Sequence, residues 1–443
     1  MSDLKVGIVQ VDYTPQLGLP IMGNYRDDYA ARGVHDPLYA KAIVITNSSG
    51  KKVALLSIDI CMFDRNNTAM MRQFISSKCD ITAENIFVAA THTHSAPAPM
   101  SLGSLPKADD ASIEAFLKKA ATAVLLANED LRGAKLAVGR NTEARLAFSR
   151  RLRCKDGKTH MNWEGLDPDF VIEPLGTVDP QLITLSIEQK GKPTAAIVNF
   201  GLHPAILAGD NWLYSADYPG YLAEAMSKIY DAQLTTLFFN GCCGNVNHLD
   251  YRDKIQGRGY QMTQRVGYML AAAAAQAIKG QTEVSGDEIA VSKEMVSLKR
   301  FAITDQQYKW SQDVMEKARK NPAPGQVDGL PDEFYAKTWL EMYENQSTDD
   351  HVEVMAVRIG DVGIVGMPGE TFSAFGMDIK KRSPARHTIV IELANDAIGY
   401  IPTAESFEQG GYESTPGSTM YAKGAGEKLV TSALNQLGKL FKK

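Results

Sequence analysis

Three stretches of the chain repeat one plan, and that plan restricts the fold more than any other feature. Residues 41–46 and 52–60, 182–188 and 194–200, and 352–359 and 362–367 are paired runs rich in β-branched residues. Short glycine-containing turns join them: Asn47-Ser48-Ser49-Gly50, Gln189-Lys190-Gly191-Lys192 and Gly360-Asp361. Runs and turns of this kind read as antiparallel hairpins. Each pair leads into polar or conformationally special residues: Asp59, Gly201-Leu202-His203-Pro204 and Pro368-Gly369-Glu370. Strand ends that deliver side chains to one rim are how α/β proteins assemble sites.

A further strand is expected over residues 4–11. Helical periodicity marks residues 112–128, 218–230, 261–279 and 424–440. Residues 305–320 and 332–344 read as charged, solvated helices. Residues 319–331 carry three prolines and two glycines, so they read as a loop or insertion. The expectation is an α/β fold: one large domain over residues 1–443, with mixed β-sheets and helices packed on their faces.

Composition excludes several functions. A net charge of -5 leaves no basic face for nucleic acid. No apolar run reaches the roughly 18–20 residues that span a bilayer; the Ala-rich run 269–275 reads as a buried helix. The five cysteines show no disulfide framework, and adjacent Cys242 and Cys243 read as small packing residues beside a turn. Met1 to Lys5 shows no signal peptide. The cellular address is therefore expected to be cytoplasmic, or periplasmic or secreted if a signal was trimmed.

The chemistry concentrates in few residues. Thr91-His92-Thr93-His94 follows the apolar run 85–90, and the chain has only 8 histidines. On an extended segment, alternating residues share a face, so both imidazoles would project together as half of a metal site. An ordinary strand with one packed and one solvated histidine has the same spacing. Pro204 biases His203 towards extended geometry at a strand end, where a turn-capping histidine is the plainer reading. Glu370 precedes a helix-like stretch, 371–380, where a carboxylate is comfortable without a metal. Tyr400 follows a strand expected over 388–393 and could be simply a buried aromatic. Jointly, these histidines, the glutamate and the tyrosine form a ligand set suited to Zn²⁺. The Gly-rich turn 240–248 could expose backbone N–H groups to an oxyanion or be a plain corner.

Five collinear motifs carry a resemblance across almost the whole chain. Asp12-Tyr13-Thr14-Pro15, Gly33-Val34-His35-Asp36-Pro37-Leu38-Tyr39-Ala40, Thr91-His92-Thr93-His94-Ser95, Gly201-Leu202-His203-Pro204 and Pro368-Gly369-Glu370 resemble those of the neutral/alkaline (non-lysosomal) ceramidase family. The resemblance implies a zinc amidohydrolase. His92, His203, Glu370 and Tyr400 would hold the metal. His94 would handle protons, and Arg150 would contact the substrate head. Two departures stand out. The family turn Gly-Asp-Val-Ser-Pro-Asn aligns with Gly244-Asn245-Val246-Asn247-His248, which puts Asn247 in place of a serine. The family's C-terminal immunoglobulin-like domain has no counterpart here, and shorter bacterial members of undefined substrate are the better match.

The expected mechanism is attack by a metal-activated water, which needs no serine. Tyr400 and backbone N–H groups near Gly244 would steady the oxyanion. Asn247 would donate a hydrogen bond to substrate. Asp59, His35 and Asp217 would support the imidazoles from behind. The expected substrate is a small-molecule, glycan or lipid-like acylated compound, not ceramide itself. An amide is the default bond. A zinc-dependent esterase or deacetylase acting on a glycan, and a non-catalytic metal-containing binding protein, are the alternatives.

Overall fold

The computed structural model describes residues 4–103, 105–253, 255–318 and 332–442. All three expected hairpins form. Tyr39–Thr46 pairs antiparallel with Lys52–Ile58, Gln181–Gln189 with Lys192–Phe200, and Asp349–Ile359 with Val362–Gly366. A helix follows each hairpin: Arg65–Ser76, Tyr218–Ile229 and Ser373–Arg382. After the helix comes a strand parallel to the second strand of the hairpin: Ile86–Ala90, Thr235–Asn240 and His387–Ile391. Parallel neighbours cannot be joined by a tight turn, so the helix is the crossover. The chain thus builds the same hairpin–helix–strand unit three times.

Further strands complete three mixed sheets. Lys5–Asp12 pairs with Tyr39–Thr46 in the first, Lys135–Thr142 with Gln181–Gln189 in the second, and Ile289–Lys299 with Asp349–Ile359 in the third. One face of every sheet enters a shared apolar core: Ile43, Leu55 and Phe87 meet Ile183, Leu185 and Leu237, and also Met355, Ile364 and Ile389. The period-2 alternation of a strand sends the other residues outward, where helices cover them. On Tyr39–Thr46, Ile43 and Ile45 face the shared core, while Ala40, Ala42 and Val44 pack under Phe116, Ala120 and Val124 of helix Asp110–Glu129. Helices Tyr260–Lys279 and Ala425–Phe441 cover the second and third sheets in the same manner. The expected α/β fold is therefore observed, and the Ala-rich run lies buried in helix Tyr260–Lys279.

Close helix–sheet approach needs a missing side chain at Gly7, where a Cβ would stand 1.7 Å from the carbonyl oxygen of Ala127. Gly7→Ala is expected to push the helix off the sheet and cost about 1–3 kcal/mol in urea unfolding.

Two expectations need correction. Helix Asp332–Asn345 is not a solvated helix: it buries Phe334, Tyr335, Ala336, Thr338 and Met342. Its charged residues occupy one side only, and the overall charge hid the apolar stripe. Helix Asp305–Ala318 does lie in solvent, with only Ser311 buried among its described residues. The loop expected over 319–331 lies outside the described residues. Helix Arg65–Ser76 gave no apolar signal because Asn67 and Thr68 share its buried face with Met71 and Ile75. Among the described residues, no helix is long and apolar enough to cross a membrane. All five cysteines are free.

Candidate metal centre and active site

The repeated unit decides where the site forms. Each unit ends its last hairpin strand and its parallel strand in the same direction, and loops leave those ends together. His92 and His94 follow Ile86–Ala90, His203 follows Lys192–Phe200, Glu370 follows Val362–Gly366, and Tyr400 follows His387–Ile391. Glu370 and Tyr400 face each other in a short parallel pairing of Glu370–Thr371 with Tyr400–Ile401. Gly369 makes that approach possible: its φ is +72°, and a Cβ would stand 2.5 Å from the carbonyl oxygen of Gly399.

Three donor groups converge. Single ligand atoms of His92, His203 and Glu370 all lie within 4.8 Å of one another, and all three residues are buried. Glu370 Oε2 stands 3.0 Å from His203 Nε2 and 3.3 Å from His92 Nε2. The His92 and His203 ring centroids are 4.7 Å apart, and His94 lies 4.8 Å from His92. Two imidazoles and a carboxylate in this arrangement are a donor set for a divalent cation. The unmet valence points the same way. His94 Nε2 is buried with no hydrogen-bond partner, a state that costs free energy unless something binds there, and His92 Nε2 has only the Glu370 carboxylate, at 3.3 Å.

The tautomers are set from behind by backbone. His92 Nδ1 lies 2.8 Å from the carbonyl oxygen of Cys61, and His203 Nδ1 lies 3.0 Å from that of Cys243. Each Nδ1–H therefore donates outward and turns Nε2 to the cluster, with a lone pair on neutral His203 and, on His92, once its second proton has left. Burial, aided by Arg150, pushes His203 down to about 4. Burial also holds His94 well below the usual histidine range, helped by His92 and His203. Burial would raise Glu370, but His92 and His203 outweigh it and hold the carboxyl well below its ordinary value. Burial opposes a charge on His92, yet Cys61 and Glu370 beside it raise its pKa, so the proton of the metal-free cluster sits there.

Arg150 enters from the other side. It is buried, with Nη1 3.3 Å from His203 Nε2 and Nη2 donating to the Gly244 carbonyl at 2.7 Å. Its Nε donates to Glu413 Oε1 at 2.7 Å, and Arg151 Nη1 donates to Glu413 Oε2 at the same distance. The guanidinium carbon lies 5.0 Å from the Tyr400 ring centroid and within cation–π reach of Trp163 and Tyr412. Tyr400 stacks on His203 with ring centroids 6.4 Å apart. Asn247 exchanges two amide hydrogen bonds with Asn162, at 2.7 and 2.8 Å, and lines the cavity beside Arg150 and His203.

The cluster sits between two cavities. One, of about 400 Å³, has Met100, Leu102, Phe334, Ile398 and Met420 in its wall. The other, of about 330 Å³, has Arg150, Trp163, Asn247 and His248 in its wall. His92 and Glu370 border the first, His203 borders the second, and His94 and Tyr400 border both.

Several expected roles are not what the structure places. His92 is not on a strand: the strand ends at Ala90, and His92 has φ +75°. The imidazoles meet through this left-handed turn, not through strand alternation, and such strained conformations gather at functional sites. Asp59, His35 and Asp217 do not touch the imidazoles. Asp59 accepts the Tyr39 N–H at 2.9 Å, His35 stacks on Tyr260, and Asp217 accepts from Leu207 and Tyr218 N–H groups. The Gly244 N–H is not free for an oxyanion, because it donates to the Thr371 carbonyl at 3.0 Å. Glu370 is not a helix-terminal carboxylate; the helix begins at Ser373. Cys61, Cys243 and Glu413 were missed. Cys61 and Cys243 reach the imidazoles through their carbonyls and through their thiols, whose sulfurs lie 3.7 Å from His92 Nδ1 and 3.2 Å from His203 Nδ1, and Glu413 stands 263 residues from Arg150.

Asp217 gives a pH test. Burial raises its carboxyl from 3.8 to about 7. A folded-state pKa above the unfolded one contributes stability that is full below the unfolded value and lost as pH rises through about 7. Asp217→Asn is expected to flatten the fall in urea stability between pH 5 and pH 8; an unchanged slope would show that other groups carry it.

Such a constellation defines a class: a buried His/His/Glu centre at the strand ends of a mixed α/β fold, open to two cavities. Residues 4–331 match the family described as neutral/alkaline non-lysosomal ceramidase, N-terminal. The chain belongs to this family. It is 24% identical over 474 residues to the neutral ceramidase of Pseudomonas aeruginosa, covering 94% of this chain and 69% of that protein. It is 25% identical over 246 residues to neutral ceramidase A of Dictyostelium discoideum, covering 52% of this chain and 33% of that protein. Its fold is similar to the crystal structure of the Pseudomonas aeruginosa neutral ceramidase, with a TM-score of 0.77 at 19% identity over 100% of this chain and 75% of that one.

Proposed function

We propose that this chain is a zinc-dependent hydrolase of an N-acyl (amide) bond, acting on a polar acylated substrate other than ceramide itself. The observation that carries the reading is the convergence of His92, His203 and Glu370 donor atoms within 4.8 Å in a buried centre. Membership of the ceramidase family supports amide hydrolysis. A divalent cation bound there would polarise the scissile carbonyl and lower the pKa of a water molecule to about 7.

The chain's own residues then divide the work. His92, His203 and Glu370 would hold the cation, with Tyr400 as a further ligand. His94 is buried, neutral and unpartnered at Nε2, so it can accept a proton from the attacking water and return it to the leaving nitrogen. Tyr400, whose phenol is raised well above its ordinary value by burial first and Glu370 as well, stays protonated and can donate to the developing oxyanion. Arg150, held by Glu413, fixes a positive charge beside His203. Asn247 spends one amide N–H on Asn162 and keeps the other for substrate.

Chelation provides the test. Purified protein is expected to carry near-stoichiometric zinc and to cleave N-acyl substrates. Dialysis against a chelator should abolish turnover, and added zinc should restore it. Full zinc with no turnover on any N-acyl or O-acyl substrate would replace this reading with a metal-containing binding protein. Turnover confined to O-acyl substrates would make it an esterase.

A further inference from the structure

His248 is the one buried imidazole in the cavity wall that the proposed chemistry leaves idle. It is 3% exposed, and its Nε2 is buried without a hydrogen-bond partner. It lines the same cavity as Arg150, Asn247, His203 and Tyr400. The backbone of Gly257 engages the ring in a way that favours its proton, and burial followed by Arg258 holds the group down at about 4. The ring is therefore neutral at pH 7, and a neutral imidazole keeps one nitrogen as an acceptor; Nε2 is the buried nitrogen without a partner. An unused acceptor sealed in a polar pocket is costly, and such a group calls for a donor.

The rest of the wall fits one kind of ligand. Asn247 has an uncommitted amide N–H, and Arg258 is an exposed cation at the mouth. Trp163 offers a partly exposed indole, 5.9 Å from the Tyr412 ring. The volume of about 330 Å³ lies at the low end of ligand cavities, which run from about 300 to 1,000 Å³. Donors, an acceptor and an aromatic wall around a small space recognise a compact ring bearing several hydroxyl groups, not an alkyl chain. The apolar residues Met100, Leu102, Phe334 and Met420 stand in the other cavity.

We propose that the cavity between Arg150 and Arg258 binds a polyhydroxylated, saccharide-like part of the substrate, and that His248 Nε2 accepts a hydrogen bond from one of its hydroxyls. This rests on the proposed hydrolase reading for its place in catalysis, but binding alone tests it. The probes are methyl β-D-glucopyranoside and methoxycyclohexane, which share a ring and carry no cleavable acyl group. Ligand-observed NMR titration of the full chain is expected to show the glucoside binding at least tenfold more tightly, because a site built for hydroxyls rejects an analogue lacking them. His248→Leu should lower glucoside affinity about tenfold and leave methoxycyclohexane unchanged. His248→Gln, which restores an acceptor, should recover part of the loss. Equal affinity for the two probes, no binding of either, or a glucoside affinity untouched by a folded His248→Leu variant would overturn the proposal. The comparison on unmodified protein decides the matter even where the leucine variant does not fold. Loss of this proposal leaves zinc-dependent turnover standing, whereas failure of turnover on every acyl substrate leaves the hydroxyl preference standing.

Discussion

His92→Ala is expected to lose bound zinc and to lower kcat/KM by more than about 100-fold. The magnitude follows from what lies behind a ligand. Changing a group that merely orients a metal-bound histidine already costs about 10–100-fold in metal affinity or activity, and removing the donor itself should exceed that. The fold should survive, because alanine inherits the φ of +75° without adding to its strain. Glu370→Gln should act alike, since it keeps the shape while removing the negative charge that His92 and His203 face at 3.3 and 3.0 Å. The measurements are zinc by elemental analysis and initial rates on an N-acyl substrate. An alanine variant with full metal content would refute the ligand assignment. Zinc affinity is also expected to fall with acidity, because the cluster must release the His92 proton to take a cation.

Glu413→Ala should be the most damaging substitution for stability away from the apolar core. Glu413 is fully buried and receives Arg150 on one carboxylate oxygen and Arg151 on the other, each at 2.7 Å. Both arginine side chains are almost completely buried. Burial alone would raise the Glu413 carboxyl, and the two guanidiniums outweigh it and hold it ionised. Breaking a buried ion pair costs about 3–5 kcal/mol, because the abandoned charge has no water to return to. Two charges are stranded here, so urea unfolding should show a loss at the upper end of that range. Glu413→Gln keeps acceptor and volume and should cost less. Activity should fall with either variant, because Arg150 would no longer be held beside His203. A variant as stable as the parent would mean that water reaches both guanidiniums.

The turns at residues 47–50, 189–192 and 360–361 announced three hairpins, because short-range backbone chemistry fixes a turn and β-branched runs fix the strands beside it. The apolar periodicity of 112–128 and 261–279 announced helices for a similarly local reason. Helix Arg65–Ser76 escaped notice because it buries Asn67 and Thr68, whose fit depends on neighbours far along the chain. The residue types at 92, 94, 203, 370 and 400 were legible, the first four inside collinear motifs and Tyr400 after the strand that ends at Ile391. Their supports were not. The Cys61 and Cys243 carbonyls that orient the imidazoles look identical in sequence to any other backbone group.

By itself the sequence determined most of the segments that become strands and helices and which residue types could serve as metal ligands, since propensity, turn chemistry and ligand type are properties of a few adjacent residues. Only the tertiary structure decided that these side chains meet. Three sheets pack on one apolar core so that their loop ends coincide, and that packing sums contacts between residues hundreds of positions apart. The left-handed turn at His92, the two cavities and the unpartnered Nε2 of His248 follow from the packing and from nothing local.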